Sequence, residues 1–216
     1  ELPFTDANGT ERVNTFAVAS AAGLALAINT NTEAHGVTAS AVTVVEGGAT
    51  DGVGTASSLI MEVTDSDGTT QTYSMGATTS IEDLVDEINI GGTVTSEVLI
   101  GGVSAAKNAA GGVTVTSSEG ATINFSTGGV MGFAQGVTTG SLTLSSADSS
   151  PITITRGTNT SATDADIRIL GFNVTDSDSS VVVGRQIVAN GALSATNNFQ
   201  LTVADDMTIN GVQIGA

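Results

Sequence analysis

The sequence is poor in residues on which several common protein functions depend. It has 216 residues, with no cysteine, no tryptophan, one tyrosine, one histidine and two prolines. Without cysteine, disulfide frameworks, thiol catalysis and thiolate metal sites are excluded. With one histidine, the zinc-protease motif H-E-x-x-H cannot form either. The remaining classes are proteins that need neither thiols nor a multi-histidine metal centre.

Positive charge and long apolar runs are also scarce. The chain carries 5 Lys+Arg against 22 Asp+Glu, a formal net charge of −17. Phosphate backbones and anionic bilayers both bind through clustered cations, so we expect no nucleic-acid partner and no membrane partner. No apolar run approaches the roughly 18 residues that suggest a bilayer-spanning helix.

What the chain does contain indicates a β-rich folded protein. Only 12 % of its residues are charged and its mean hydropathy is +0.25, which disfavours disorder. Valine, isoleucine and threonine fit pleated sheets, and 27 glycines with many Asn and Asp residues favour tight turns. We expect an α+β, β-rich fold, with small antiparallel sheets and hairpins that are each covered by one short helix.

The clearest local pattern lies between residues 58 and 126. Strands are predicted at 58–64 and 69–75, joined by a turn at Asp65-Ser66-Asp67-Gly68. A capping-box pattern, Thr79-Ser80-Ile81-Glu82, opens a helix with an apolar stripe at i, i+3, i+4 and i+7. A strand at 93–100 and a second hairpin, 112–117 with 121–126, complete the prediction for this region.

The flanking regions predict two more helices and several strands. The helices are expected at 15–29 and 163–170. The predicted strands are 37–45, 141–145, 151–155, 180–183, 199–203 and 207–214.

An internal repeat connects the two regions. Ile28-Asn29 ends one predicted helix and precedes GVTASAV at 36–42, while Ile88-Asn89 ends another and precedes TVTSEV at 93–98. In both places a helix ending at Ile-Asn leads through a turn to a Val-Thr strand. The repeat predicts two related subdomains.

These motifs resemble the variable outer region of bacterial flagellin. The resemblance depends on AINTNTEAHGVTASAV at 27–42, on DLVDEIN at 83–89 leading into TVTSEV, and on MTINGVQIGA at 207–216. The Ile-Asn repeat is also similar to one in hook-associated proteins. Flagellins carry long helical ends that build the filament core, and no sustained heptad pattern of that kind occurs here.

The resemblance implies a structural role and a topology. It implies a solvent-facing segment of a longer chain, displayed outside the cell on the bacterial flagellum, whose partners are neighbouring flagellin subunits. The isolated segment would be monomeric, without catalysis or a cofactor. Because the outer region of flagellins is inserted between core helices, we expect a discontinuous proximal domain, 1–50 with 138–216, and a distal inserted domain, 51–137.

Two acidic turns offer an alternative function. The string V-T-D-S-D occurs twice and supplies four candidate calcium ligands: Asp65, Asp67, Asp176 and Asp178. An EF-hand loop also needs a Glu at its twelfth position, which here would be Gly76, so hairpin turns are favoured over ion sites. The alternatives are therefore a calcium-dependent repeat of a bacterial surface adhesin, or a segment of a hook-associated protein.

No catalytic constellation emerges from the sequence. His35 lies in a polar stretch between predicted elements, where we expect a solvated turn residue. No G-x-S-x-G nucleophile elbow and no G-x-x-x-x-G-K-[ST] phosphate loop occurs. The sequence therefore predicts a protein that is not an enzyme.

Overall fold

The computed structural model describes residues 3–5, 11–13, 20–92, 99–127, 129–156, 164–172, 175–176, 179–186 and 207–214. The helices are α1 (Ala21–Thr30), α2 (Thr32–His35), α3 (Ile81–Asn89) and α4 (Asp164–Ile169), with a 3-10 turn at Gly129–Met131. The strands are β1 (Pro3–Thr5), β2 (Glu11–Val13), β3 (Val37–Glu46), β4 (Val53–Gly54), β5 (Ile60–Thr64), β6 (Thr70–Ser74), β7 (Thr78–Thr79), β8 (Val103–Lys107), β9 (Val113–Ser117), β10 (Thr122–Thr127), β11 (Gly136–Thr138), β12 (Ser141–Ser146), β13 (Thr153–Arg156), β14 (Thr175–Asp176), β15 (Val181–Gln186), β16 (Met207–Ile209) and β17 (Val212–Ile214).

The described strands form several small antiparallel sheets. The largest has five strands in the order β15-β12-β3-β9-β8. Two four-stranded sheets have the orders β11-β10-β5-β6 and β14-β13-β16-β17, and two further pairs are β1-β2 and β4-β7. Every described strand pair is antiparallel. The predicted α+β, β-rich class is confirmed.

The ten-residue strand β3 is shared by two parts of the molecule. Its first part, from Val37 to Val42, pairs with β12, and its second part, from Thr43 to Glu46, pairs with β9. The outward-facing residues of β3 alternate with inward-facing ones, as expected for a strand whose inner face is covered. Helix α1 packs along this strand.

Two separate hydrophobic clusters form the core. The first draws its buried residues from α1, β3, β12, β13, α4, β16, β17 and the chain next to them, within 21–39 and 142–214. The second draws on the segment 59–133, including β5, β6, α3, β9 and β10, and Val45 of β3 packs against it. The division into domains 1–50 with 138–216 and 51–137 stays a prediction.

The two longer helices begin with side-chain caps. Ser20 precedes α1, and its Oγ accepts a hydrogen bond from the backbone N of Gly23 at 3.1 Å. Helix α1 therefore begins at Ala21, while residues 15–19 of the predicted helix lie outside the described residues. The first four N–H groups of a helix have no intrahelical acceptor, and Ser20 Oγ satisfies one of them, that of Gly23.

The cap of α3 lies one residue later than the sequence pattern predicted. Ser80 is the capping residue, and its Oγ accepts from the backbone N of Asp83 at 3.1 Å. Asp83 Oδ2 in turn accepts from the backbone N of Thr79 at 2.8 Å. Glu82, the predicted partner, instead pairs with Lys107 at 2.8 Å. The shift places Ile81 at the first helical position, where it joins the second cluster.

The predicted hairpin of 112–117 with 121–126 is wrong. Strand β9 pairs with β3 and β8, whereas β10 pairs with β5 and β11, so the two strands belong to different sheets. Ser117 marks the corner between them, because its Oγ donates to Gly101 O and accepts from the backbone N of Ala121. Strand β8, which the sequence patterns did not predict, pairs with the edge of β9 opposite β3.

The predicted strand 207–214 is a hairpin. Asn210 and Gly211 separate β16 from β17 and have φ of 49° and 78°. Two consecutive positive φ values are the requirement of a type I′ turn, which Asn-Gly satisfies at little cost. Strand β13 begins at Thr153 and β15 extends to Gln186, while the predicted strand 199–203 and residues 93–98 lie outside the described residues.

Candidate functional site

The first acidic turn is built as a tight connection between β5 and β6. Asp65 Oδ1 accepts from the backbone N of Ser66 at 2.6 Å, and Asp67 Oδ1 accepts from the backbone N of Thr69 at 2.8 Å. The main chain closes the turn through Asp65 N to Thr69 O and Gly68 N to Asp65 O. Gly68 has φ of 82°, a conformation that glycine adopts without strain.

These contacts describe turn-forming aspartates. The hydrogen bonds from Thr69, chiefly the one from its backbone N, hold the pKa of Asp67 below its ordinary value. Asp176 lies in β14, in a different sheet, and Asp178 lies outside the described residues. Among the residues that the structure describes, no group of three or more His, Asp or Glu side chains is placed to hold a metal ion.

His35 is buried, which corrects the expectation of a solvated turn residue. Only 4 % of its surface is exposed, at the end of α2. Its Nε2 lies 3.0 Å from Ile28 O, and its Nδ1 accepts from the backbone N of Val37 at 3.1 Å. Burial lowers the pKa of His35 below the ordinary value, and the bond to Ile28 O acts in the opposite direction. Among the residues that the structure describes, the ring bonds only to the backbone of Ile28 and Val37.

Two asparagines, which the sequence analysis noted only as helix ends, perform the same structural task. Asn29 Nδ2 donates to Ala39 O at 2.9 Å, and Ala39 N donates to Asn29 Oδ1 at 2.7 Å. Asn89 Nδ2 donates to Ala105 O at 3.1 Å, and Ala105 N donates to Asn89 Oδ1 at 2.7 Å. Each amide therefore bonds a strand alanine as a neighbouring strand would. We call each arrangement an asparagine clamp.

The clamps correct the alignment of the internal repeat. The strand equivalent to GVTASA at 36–41 is GVSAAK at 102–107, because Ala39 and Ala105 occupy the same position relative to their clamps. The Ile-Asn pattern alone predicts TVTSEV at 93–98 as the equivalent strand, and those residues lie outside the described part of the chain. The signal was present in the shared Gly-Val-Thr/Ser-Ala string, but the longer spacing between helix and strand in the second copy hid it.

Small residues fill the place where the two hydrophobic clusters meet. Ala22 N donates to Gly120 O at 3.1 Å, which ties the start of α1 to the turn after β9. A Cβ added at Gly120 would lie 2.3 Å from the Cβ of Ala41, so only glycine fits there. Thr43 is fully buried nearby in β3, and its Oγ1 has no hydrogen-bond partner among the described residues. The junction is therefore tightly packed and includes one unsatisfied hydroxyl.

The outer face of the five-stranded sheet is uncharged over most of its described area. On β3 the outward residues are Thr38, Ser40, Val42, Val44 and Glu46. On β15, Val181 and Val183 are 48 % and 73 % exposed.

The side-chain ion pairs in the described part of the chain, Lys107–Glu82 and Arg156–Asp164, lie at exposed positions, where such pairs add little stability.

Neither the protein-family models nor the curated protein sequences contain a match to this chain. Among the described helices, none is long and apolar enough to cross a bilayer.

Proposed function

We propose that this chain is a structural spacer, the outer, solvent-facing part of a bacterial flagellin displayed on the filament exterior. The carrying observation is the asparagine clamp, which occurs once beside each hydrophobic cluster. In both copies the asparagine of an Ile-Asn pair in the last turn of a helix is fastened to the following Gly-Val-Thr/Ser-Ala strand by two hydrogen bonds. Such fastening favours a stiff body over an adaptable binding surface.

The packing between the clusters supports the same role. Strand β3 runs through both clusters without interruption, and the contact of Ala22 N with Gly120 O joins them a second time. A rod that holds its shape while projecting from a filament needs this kind of continuity. Glycine at position 120 allows the close approach on which the contact depends.

The surface chemistry suits an exposed spacer. With a net charge of −17 per copy, dense arrays of subunits would repel neighbouring filaments and remain hydrated. The acidic side chains at the β5–β6 turn bond backbone N–H groups, as turn formers do.

Display on filaments is the direct test. The chain has no cysteine, so a single cysteine can be labelled selectively after transplanting residues 1–216 between the helical ends of a filament-forming flagellin. Val183→Cys, at a position 73 % exposed, should react with a thiol reagent on intact filaments. Leu144→Cys, at a fully buried position of the neighbouring strand, is the matched control and should react only after unfolding.

The results of this experiment distinguish a flagellin spacer from a hook-associated protein. Assembled filaments that label at Val183→Cys along their whole length support a flagellin spacer. Antibodies against the chain that decorate only filament ends in the native organism would instead indicate a hook-associated protein. A failure of the host to assemble with the insert, while the same host without it assembles, would contradict the proposal.

Calcium provides the second discrimination. Thermal unfolding of the isolated chain in calcium and in EDTA should give the same midpoint if the β5–β6 turn needs no ion. A large loss of thermal stability in EDTA that Asp67→Asn abolishes would favour the calcium-dependent adhesin repeat and count against the spacer.

A further inference from the structure

His35 lies where three parts of the first cluster meet. Its ring contacts the last turn of α1 through Ile28 O and the start of β3 through the backbone N of Val37. Its own carbonyl oxygen accepts from Asn210 Nδ2 at 2.9 Å, in the β16–β17 turn. One residue therefore connects a helix end, a strand start and a hairpin that is 175 positions away in the sequence.

The two ring contacts define one neutral tautomer. A backbone N–H can only donate and a backbone C=O can only accept. Nδ1 must therefore carry the lone pair that faces Val37 N, and Nε2 must carry the hydrogen that faces Ile28 O. Protonation would put a second N–H on Nδ1, so that two donors would point at each other across 3.1 Å. The imidazolium form is therefore incompatible with this arrangement.

Asn210 transmits the arrangement to the hairpin. Its Oδ1 accepts from the backbone N of Thr153 at 2.9 Å, and its own backbone N donates to Thr153 O at 2.9 Å. Its φ of 49° lies in the left-handed region that asparagine tolerates better than most residues. The turn is thus held from one side by β13 and from the other by the His35 carbonyl.

The elements around the ring provide no charge that would hold an imidazolium. Helix α1 and the segment 207–214 contain no ionisable side chain, and Glu46 lies at the opposite end of β3. Glu33, on α2 itself, is exposed. Asp148, in the connection that follows β12, is exposed, and its carboxylate accepts from Ser146 Oγ and the backbone N of Ser150. No described carboxylate bonds the His35 ring.

We propose that His35 is an acid-sensitive latch: protonation of its ring breaks the bond to Val37 and loosens the β16–β17 turn from the start of β3. Acid would thereby open one end of the first cluster and leave the second cluster intact. The segment that loosens carries Met207, Ile209 and Ile214, all buried in the first cluster. Their exposure makes the opened form distinguishable from the closed one.

The direction of the pH dependence follows from linkage. Burial lowers the pKa of folded His35 below the ordinary 6.5 that the unfolded chain would show. The folded state is therefore favoured fully above pH 6.5 and loses this contribution as the pH falls through the folded-state pKa. As the pH falls between the two pKa values, the unfolding equilibrium constant rises by at most about tenfold for each pH unit.

Nuclear magnetic resonance of the complete chain tests the latch, because His35 is the only histidine. At neutral pH we expect the Nε2–H tautomer. Between about pH 7.5 and about pH 4.5, a range that spans the ordinary histidine pKa, the backbone amide of Val37 should titrate together with the imidazole. The side-chain amide of Asn210 should follow the same curve.

Two variants distinguish a latch from a merely buried ring. His35→Gln keeps a donor and an acceptor but does not titrate, so the pH dependence of stability above the carboxylate range should disappear. Asn210→Gly keeps the positive φ and removes both side-chain bonds of Asn210, the one to His35 O and the one from Thr153 N, so the hairpin loses its link to His35. In that variant Val37 should still titrate, and the amides of the hairpin should no longer follow it.

The possible results decide the proposal. Coupled titration of Val37 and Asn210 below pH 6.5, lost at the hairpin in Asn210→Gly, supports it. An Nδ1–H tautomer, a His35 titration at or above 6.5, or a hairpin that titrates unchanged in Asn210→Gly overturns it. If His35→Gln does not fold, the wild-type titration and Asn210→Gly still give the answer.

Discussion

Replacement of Asn29 by alanine tests the asparagine clamp most directly. The substitution removes two hydrogen bonds, of 2.9 and 2.7 Å, to the backbone of Ala39. A typical intramolecular hydrogen bond contributes about 0.5–1.5 kcal/mol, so the pair accounts for about 1–3 kcal/mol. Alanine returns roughly 0.5 kcal/mol through its better helix propensity. We expect Asn29→Ala to lower the free energy of unfolding by about 0.5–2.5 kcal/mol.

Three further variants test whether the loss of stability comes from the clamp hydrogen bonds. Asn89→Ala breaks the second clamp, whose groups are more exposed to water, and should cost about 0.5–1.5 kcal/mol. Asn29→Asp keeps an acceptor for Ala39 N but sets a carboxylate oxygen against Ala39 O, so at neutral pH it should cost at least as much as Asn29→Ala. Asn31→Ala is the matched control, because the Asn31 side chain makes no capping hydrogen bond.

Urea unfolding followed by circular dichroism measures these differences. The free energy of unfolding falls by about 1–3 kcal/mol for each molar increase in urea. A loss of roughly 2 kcal/mol therefore lowers the urea midpoint of unfolding by on the order of 1 M. The single tyrosine, Tyr73, is buried in the second cluster, so its fluorescence reports that part of the chain separately. If Asn29→Ala changes stability no more than Asn31→Ala does, the clamp is a consequence of the fold and does not stabilise it.

Three other perturbations test the junction and the domain division. Thr43→Val should raise the free energy of unfolding by about 1–3 kcal/mol, because it removes a buried hydroxyl without a described partner. If calorimetry instead shows that the variant is less stable, the hydroxyl has a partner such as a bound water. Gly120→Ala should cost about 2–5 kcal/mol, from a positive φ and a steric overlap, whereas Gly36→Ala, with a positive φ and open space, should cost only about 1–2 kcal/mol in the same urea assay. A fragment of residues 42–137, which retains the part of β3 that pairs with β9, should unfold cooperatively, whereas 51–137 should be markedly less stable; failure of both fragments to fold would contradict the predicted inserted domain.

Local signals were sufficient for much of the secondary structure. The β5–β6 hairpin and helix α3 both lie where alternation, turn residues and a 3.6-residue stripe predicted them. These features are encoded within a few residues, because turn geometry and helical periodicity depend on near neighbours. The one-residue shift of the α3 cap shows the limit of such signals, since Thr79 and Ser80 are equally good capping residues by type.

The acidic turn shows the same limit for the candidate site. The sequence identified Asp65 and Asp67 as oxygen donors at the correct spacing, and the turn around them formed as expected. Their bonding to Ser66 N and Thr69 N appears only in the folded hairpin. The repeated string V-T-D-S-D could not indicate that Asp176 would lie in a different sheet from the β5–β6 hairpin.

By itself, the sequence determined the composition of the surface, the absence of thiol chemistry and the β-rich class. Tertiary structure alone decided which strands pair, that β9 and β10 part into different sheets, and that His35 is buried. Strand pairing and burial are non-local. A strand pairs with the segment whose register places the apolar side chains of both strands on the buried face, and that segment need not be adjacent in sequence. The asparagine clamps depend on both the sequence and the tertiary structure. The Ile-Asn string is visible in the sequence, but its hydrogen bonds form only with a strand ten or sixteen residues further along the chain.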